Sequence, residues 1–284
     1  MMETKRKIIK QGNGAYTITL PIDWIRKNKI ADGFVTIENN NELLTIDPRG
    51  LKETQKEITI NLEASDKIYL RTLISGLYRQ GYDIVTLKHE IIDKKIVYEI
   101  VNSLFGMEIV DDAENHIIIK NISSENYQTD ALAIKICQRI NQMLHSLLEP
   151  DNKTADIDIF RQNNMKTRDL CLRNLQKTSD ETSHELYSLI LSLEKISGEL
   201  YIISQGNREK LNFLDLKICQ EYCNQFYDAY FSSDFQKLTN LNKVLQKKIK
   251  NNEMSNSAYF IINSLYSAVS RALSTMIIKK FSKM

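Results

Sequence analysis

The chain has 284 residues, of which 42% are apolar and 26% charged, and its formal net charge is +2. That is the balance of an ordinary soluble protein with material for a core, and the length allows two or three domains. No apolar run approaches the roughly 18 to 20 residues that span a bilayer, and the first residues are too polar for a signal peptide. No membrane insertion is expected.

The first 30 residues carry seven cations against two acids, a net +5, so the other 254 residues sum to −3. Charge concentrated at one end attracts phosphate. Arg6 to Lys10 reads as a first strand and Gly12-Asn13-Gly14 as a hairpin turn. Thr17, Ile18, Thr19 and Leu20 alternate polar and apolar, as a half-buried strand does. Pro21 ends that strand and sets φ for a helix over Ile22 to Lys29. Strands at Phe34 to Glu38 and Leu43 to Asp47 follow, turned by Asn39-Asn40-Asn41. This ββαββ unit is too small to bury much surface alone, so a second copy is expected to complete it.

From residue 51 the pattern changes. Glu57 to Leu62 reads as a strand, and Ser65 can cap a helix from Asp66 to Gln80 with Leu70, Leu73, Ile74, Leu77 and Tyr78 on its core face. Gly81 stops it. A strand at Tyr82 to Lys88 leads to a helix at Asp93 to Phe105, with Ile96, Val97, Ile100, Val101 and Leu104 inward and Gly106 as the stop. Met107 to Val110 and His116 to Lys120 complete a βαβαββ domain with helices on one side of its sheet.

Past residue 125 the period is helical throughout, with helices expected at 129–149, 154–178, 183–205, 211–231, 233–250 and 255–281. Only 3 prolines and 9 glycines agree with long regular elements. The third helix carries a seam of Leu186, Leu189, Ile190, Leu193, Ile196, Leu200 and Ile203; the sixth carries Tyr259, Ile262, Leu265, Tyr266, Val269, Leu273 and Met276. Six helices splitting three and three point to a repeated three-helix bundle. The expected domains are therefore 1–50, 51–125 and 126–284.

The first module resembles the swapped-hairpin, AbrB/SpoVT-type DNA-binding domain. The residues that carry the likeness are the alternating strand, Leu20-Pro21-Ile22-Asp23-Trp24, the short basic helix and Ala31-Asp32-Gly33. The resemblance implies a dimeric β-barrel formed through residues 5–49 and a DNA interface at Lys5, Arg6, Lys7, Lys10, Asn13, Tyr16, Arg26 and Lys27. The chain departs from the pattern in three places: Ile25 replaces a second basic residue of the helix, Tyr16 stands where arginine is common, and the first loop is longer. Leu70–Leu87, Leu104–Asp112, Ala131–Glu149 and Ser192–Ser204 resemble the archaeal phosphate-uptake-regulator family, in which an AbrB-like domain precedes a PhoU-like bundle. The implied whole is a multi-domain α+β protein: a barrel, a small α/β domain and a six-helix PhoU-like bundle.

Bundles of that family hold metal through E-x-x-x-D motifs, whose carboxylates lie one helical turn apart. Here Glu194 has Gly198 at the partner position, with Glu199 next door, and Tyr266 and Ser270 fill the second motif. No metal or other cofactor is expected. Cys137, Cys171, Cys219 and Cys223 fall on helices without framework spacing, which reads as reduced thiols in the cytoplasm. Cys219 and Cys223 are four apart, yet core packing is the favoured reading. The four histidines share no ligand spacing, and the lysines at 247, 248, 250, 279, 280 and 283 read as solvated helix ends. No nucleophile, base and charge stabiliser assemble, so no enzyme is expected. The leading reading is a homodimeric regulator of phosphate uptake. The alternatives are an interaction protein docking on a transporter or signalling partner, and a DNA-coating nucleoid protein of low sequence preference.

Overall fold

The structure, a computed structural model, describes residues 6–12, 14–28, 30, 34–40, 43–47, 55–123, 127–149, 154–178, 181–206, 212–251 and 254–281. It is mixed α+β and mostly helical, with a small sheet and a helical C-terminal region. The chain divides into two compact units, residues 1–55 and 56–284. The expected domains at 51–125 and 126–284 share the second unit.

In the first unit, β1 (Ile9–Gln11) and β2 (Ala15–Thr17) form one hairpin, paired Ile9↔Thr17, Lys10↔Tyr16 and Gln11↔Ala15. The turn uses Gly12 at φ +62, in the left-handed region that glycine enters without a Cβ clash. Helix α1 (Ile22–Lys27) starts after Pro21, and β3 (Thr36–Asn40) pairs antiparallel with β4 (Leu43–Asp47). Three strands sit elsewhere than expected. The first is Ile9–Gln11 rather than Arg6 to Lys10, because its ladder starts at Ile9↔Thr17. The second is Ala15–Thr17 rather than 17–20, because the ladder ends at Ile9↔Thr17 and residues 18–20 have no strand partner among the described residues. The third begins at Thr36 rather than Phe34, where pairing with Asp47 starts.

The second unit opens with a four-stranded sheet in the order β5-β6-β8-β7, made of β5 (Glu57–Asn61), β6 (Ile84–Lys88), β7 (Met107–Asp112) and β8 (His116–Asn121). Strands β5 and β6 are parallel and joined through α2 (Lys67–Arg79); α3 (Lys94–Asn102) then leads to β7, and the other pairings are antiparallel. Val85, Leu87, Ile117 and Ile119 on one sheet face are buried in a core with Leu70, Ile74, Leu77 and Tyr78 of α2 and Val97, Ile100 and Val101 of α3. The cap of α2 is Asp66 rather than Ser65: its carboxylate accepts from the backbone N–H groups of Ile68 and Tyr69. At the other end, Gly81 at φ +86 lets its own N–H reach Tyr78 O and the N–H of Tyr82 reach Leu77 O, which satisfies two end carbonyls.

Six further helices follow among the described residues: α4 (Thr129–Leu148), α5 (Thr154–Thr178), α6 (Ser183–Gln205), α7 (Phe213–Phe231), α8 (Phe235–Asn251) and α9 (Asn256–Phe281). Every residue of the expected α6 seam is buried, and α6 packs against α4, α5 and α9. The α9 stripe is rotated from the expected one. Ala258, Ile261, Ala268 and Ala272 are buried with Ile262, Leu265 and Val269, while Tyr259, Tyr266, Leu273 and Met276 lie at its edge. Small alanines let neighbouring helices approach closely, and the large side chains close the rim. By length and composition α9 could also cross a bilayer. Here it is a core helix.

A polar junction ties the sheet to the helices. Arg173 of α5, 3% exposed, donates to Tyr78 O at 2.9 Å and Tyr82 O at 2.7 Å and is ion-paired with Asp83, itself 6% exposed. Lys177 Nζ lies 3.1 Å from the same Asp83 oxygen, and the Lys56 N–H donates to the other at 3.1 Å. Burial alone would raise the Asp83 pKa; the Lys56 and Lys177 hydrogen bonds and the Arg173 charge outweigh it and hold the carboxyl below its usual range.

Candidate nucleic-acid interface

The expected site residues lie on two pieces of the first unit. Lys10 and Tyr16 are directly opposed on β1 and β2, so their side chains share one hairpin face. Tyr16 is 67% exposed. Arg6 and Lys7 are exposed on the approach to β1. Arg26 and Lys27 are exposed in the last turn of α1, where the partial negative charge of the helix end favours cations. Asn28 anchors that turn, its side-chain amide donating to Trp24 O at 2.8 Å. Lys5 and Asn13 lie outside the described residues.

Two features define this surface. Among the described residues, Arg6, Lys7, Lys10, Arg26 and Lys27 enter no ion pair, so their charge is directed to solvent. None of the unit's described side chains is buried. Ile8, Ile9, Ile18, Ile22, Phe34, Ile37 and Leu44 are between 48% and 78% exposed. No hydrogen bond or ion pair among the described residues links the hairpin to α1. The structure thus brings Lys10 to Tyr16 and Arg26 to Lys27, and leaves the two groups on separate elements.

The residues weighed as metal or redox ligands have other partners. Glu194 is paired with Arg168 Nη1 at 3.4 Å, and Ser270 accepts from the Asn242 amide at 2.8 Å. Among the described residues no three His, Cys, Asp or Glu side chains are placed to hold a metal. All four cysteines are free and buried. Burial pushes the thiols of Cys137, Cys171 and Cys219 up to about 12, far from a reactive thiolate. His89 has both ring nitrogens buried without a hydrogen-bond partner among the described residues, and burial lowers its pKa. Lys279 is ion-paired to Asp130 at 2.7 Å rather than simply solvated, and Tyr230 donates to the same carboxylate at 2.8 Å.

The Asp83–Arg173–Lys177 junction was missed from sequence, as was the cationic face of α5 at Arg161, Lys166 and Arg168. The signal was the charge density of residues 161–177 on the helix expected at 154–178. No family model, curated protein or solved structure matches the chain.

Proposed function

We propose that the chain is a homodimeric DNA-binding transcriptional regulator of the cytoplasm. One observation carries this reading: a unit that buries no described side chain also presents five exposed cations, none in an ion pair with another described residue. Such a unit needs a second surface to exclude water from its apolar residues. The hairpins β1–β2 and β3–β4 are separate two-stranded sheets, and two-stranded hairpins are marginal alone. Interleaving with a second copy through residues 5–49, as in the swapped-hairpin barrel this stretch resembles, would bury those residues and double the cations. Phosphate uptake is the process the resemblance implies, and a PhoU-like pair of three-helix repeats is the arrangement proposed for α4–α9. The helices would sense a signal or contact a partner such as a transporter.

The test is fluorescence anisotropy of the full chain on duplex DNA across salt. A dimer brings two sets of Lys5, Arg6, Lys7, Lys10, Arg26 and Lys27. If half reach phosphates, log K against log salt falls with a slope near −5, on the order of 0.9 per phosphate neutralised. Arg26→Ala removes a planar two-point donor and weakens binding by about 1–3 kcal/mol if it reads a base, with Arg26→Lys restoring only part. Loss of binding in Lys279→Ala/Lys280→Ala with Arg26→Ala unaffected would move the interface to the helical region and overturn the reading.

A further inference from the structure

A cavity of about 680 Å³ in the second unit lies between α2 and α3 on one side and the first half of α5 on the other. Its volume is within the range of small-molecule sites. Five cations line it, Arg71 and Arg79 from α2 and Arg161, Lys166 and Arg168 from α5, against Glu99, Asp158 and Asp169.

The acids do not cancel the cations. Asp169 is shared by Arg168 at 2.9 Å and Arg79 at 3.6 Å, and Glu194 adds to Arg168. Glu99 is held by Lys67 at 2.8 Å, and Asp158 accepts from Gln162 at 2.8 Å. Among the described residues, Arg71, Arg161 and Lys166 therefore have no carboxylate partner. Lys166 donates to Asn102 O at 3.2 Å and keeps two N–H bonds to give. Arg161 lies over the Tyr201 ring at 4.4 Å, and its Nε is buried with no hydrogen-bond partner.

We propose that this cleft binds a small anion carrying two or more phosphoryl groups. Arg71, Arg161 and Lys166 outnumber Asp158, whose charge the neutral Gln162 amide leaves in place, so the cleft keeps an excess of positive charge that matches a ligand with several negative charges. The volume exceeds what one tetrahedral anion fills, and cations stand on both walls. Arginine forks suit paired phosphoryl oxygens, and each phosphoryl group offers more acceptor oxygens than a carboxylate does. The hydroxyls of Thr72 and Ser75 line the α2 wall as neutral donors. A bound ligand bridges α2 and α5, the two helices that the Arg173 junction also ties. The inference is independent of DNA binding, because every residue it uses lies in the second unit.

Isothermal titration of the full chain at fixed ionic strength tests it, with pyrophosphate as the probe and orthophosphate and citrate alongside. The expected result is one saturable pyrophosphate site per chain, at least about tenfold tighter than either comparison anion. Arg71→Glu, an exposed substitution that leaves the cores intact, weakens it by at least about tenfold, the size of a lost charge-assisted contact. Arg161→Gln weakens it likewise where its melting curve shows a folded chain, and Lys247→Glu on α8 leaves it unchanged. Absence of saturable pyrophosphate binding overturns the proposal. Unchanged affinity in Arg71→Glu would place the anion elsewhere, on the cations of the first unit. Equal affinity for citrate or orthophosphate would overturn the assignment to multiple phosphoryl groups.

Discussion

The two units of this chain solve the same problem in opposite ways. Residues 56–284 exclude water within one copy: one core joins the sheet to α2 and α3, and a second runs through α4–α9. Residues 1–55 have no buried side chain among those described, although β4 carries Leu44 and Ile46 in alternating positions. Alternation without burial shows that local pattern can be satisfied while packing is not. A strand pattern specifies a face to be covered; it does not specify which molecule covers it.

The comparison can be broken most severely at the Asp83–Arg173 junction. Arg173→Ala leaves the buried Asp83 carboxylate with only Lys177 and the Lys56 N–H of its described partners, and loss of one partner of a buried pair costs about 3–5 kcal/mol. Urea unfolding of the chain should show that loss in the transition of the second unit; a change under about 1 kcal/mol would mean that the junction is solvated.

The first unit should respond to concentration instead. Ile37, 59% exposed, sits opposite Ile46 on the β3–β4 hairpin. In the proposed dimer Ile37→Lys places a charge in the shared core. Sedimentation should show the dimer dissociation constant raised at least about tenfold, since burying an isoleucine contributes roughly 1.5–3 kcal/mol. The unfolding transition of the second unit should stay where it was. Equal dimerisation of wild type and variant would remove the first unit from the interface.

Acid sharpens the difference further. The Asp83 pKa is lower folded than unfolded, so its contribution to stability is fully present above the ordinary value of 3.8 and is lost as pH falls through the folded value. Between pH 7 and 5 the second unit should hold its stability, with the Asp83 contribution disappearing below 3.8. Asp83→Asn should flatten that part of the profile. A profile identical to wild type would assign the acid loss to other carboxylates.

The smallest effect is on the thiols. With Cys137, Cys171 and Cys219 pushed up to about 12 by burial and Cys223 held well above the ordinary thiol range by burial and by Cys219, a disulfide reagent at neutral pH should label none of them until the second unit unfolds. Stoichiometric labelling of the native chain would show that α4, α5 or α7 opens locally.

The α/β segment and the helices were legible because their signals are local. The stripe of Leu70, Ile74, Leu77 and Tyr78 and the positive-φ stop at Gly81 mark their element within a few residues. The α6 seam was legible for the same reason. Helix α3 ends at Asn102 rather than at the expected Phe105, and Gly106 instead makes the turn into β7, where a Cβ would meet Ser123 Cβ at 2.5 Å. The cationic residues of the first unit were legible as charge, but whether they converge was not, because no hydrogen bond or ion pair among the described residues joins hairpin and helix.

The sequence by itself determined the order and type of the elements, the helical period after residue 125 and the excess of positive charge near the first strands. These follow from spacing and composition along a few turns. Tertiary structure alone decided that α9 turns its alanines inward, that the sheet and helices share one unit, and that Arg173 meets Asp83 across 90 residues. It also decided that Glu194 faces Arg168, and that three cations of α2 and α5 line one cleft without carboxylate partners. Ion pairing and burial depend on which surfaces meet, and side chains distant in sequence carry no local signal of where the fold will bring them.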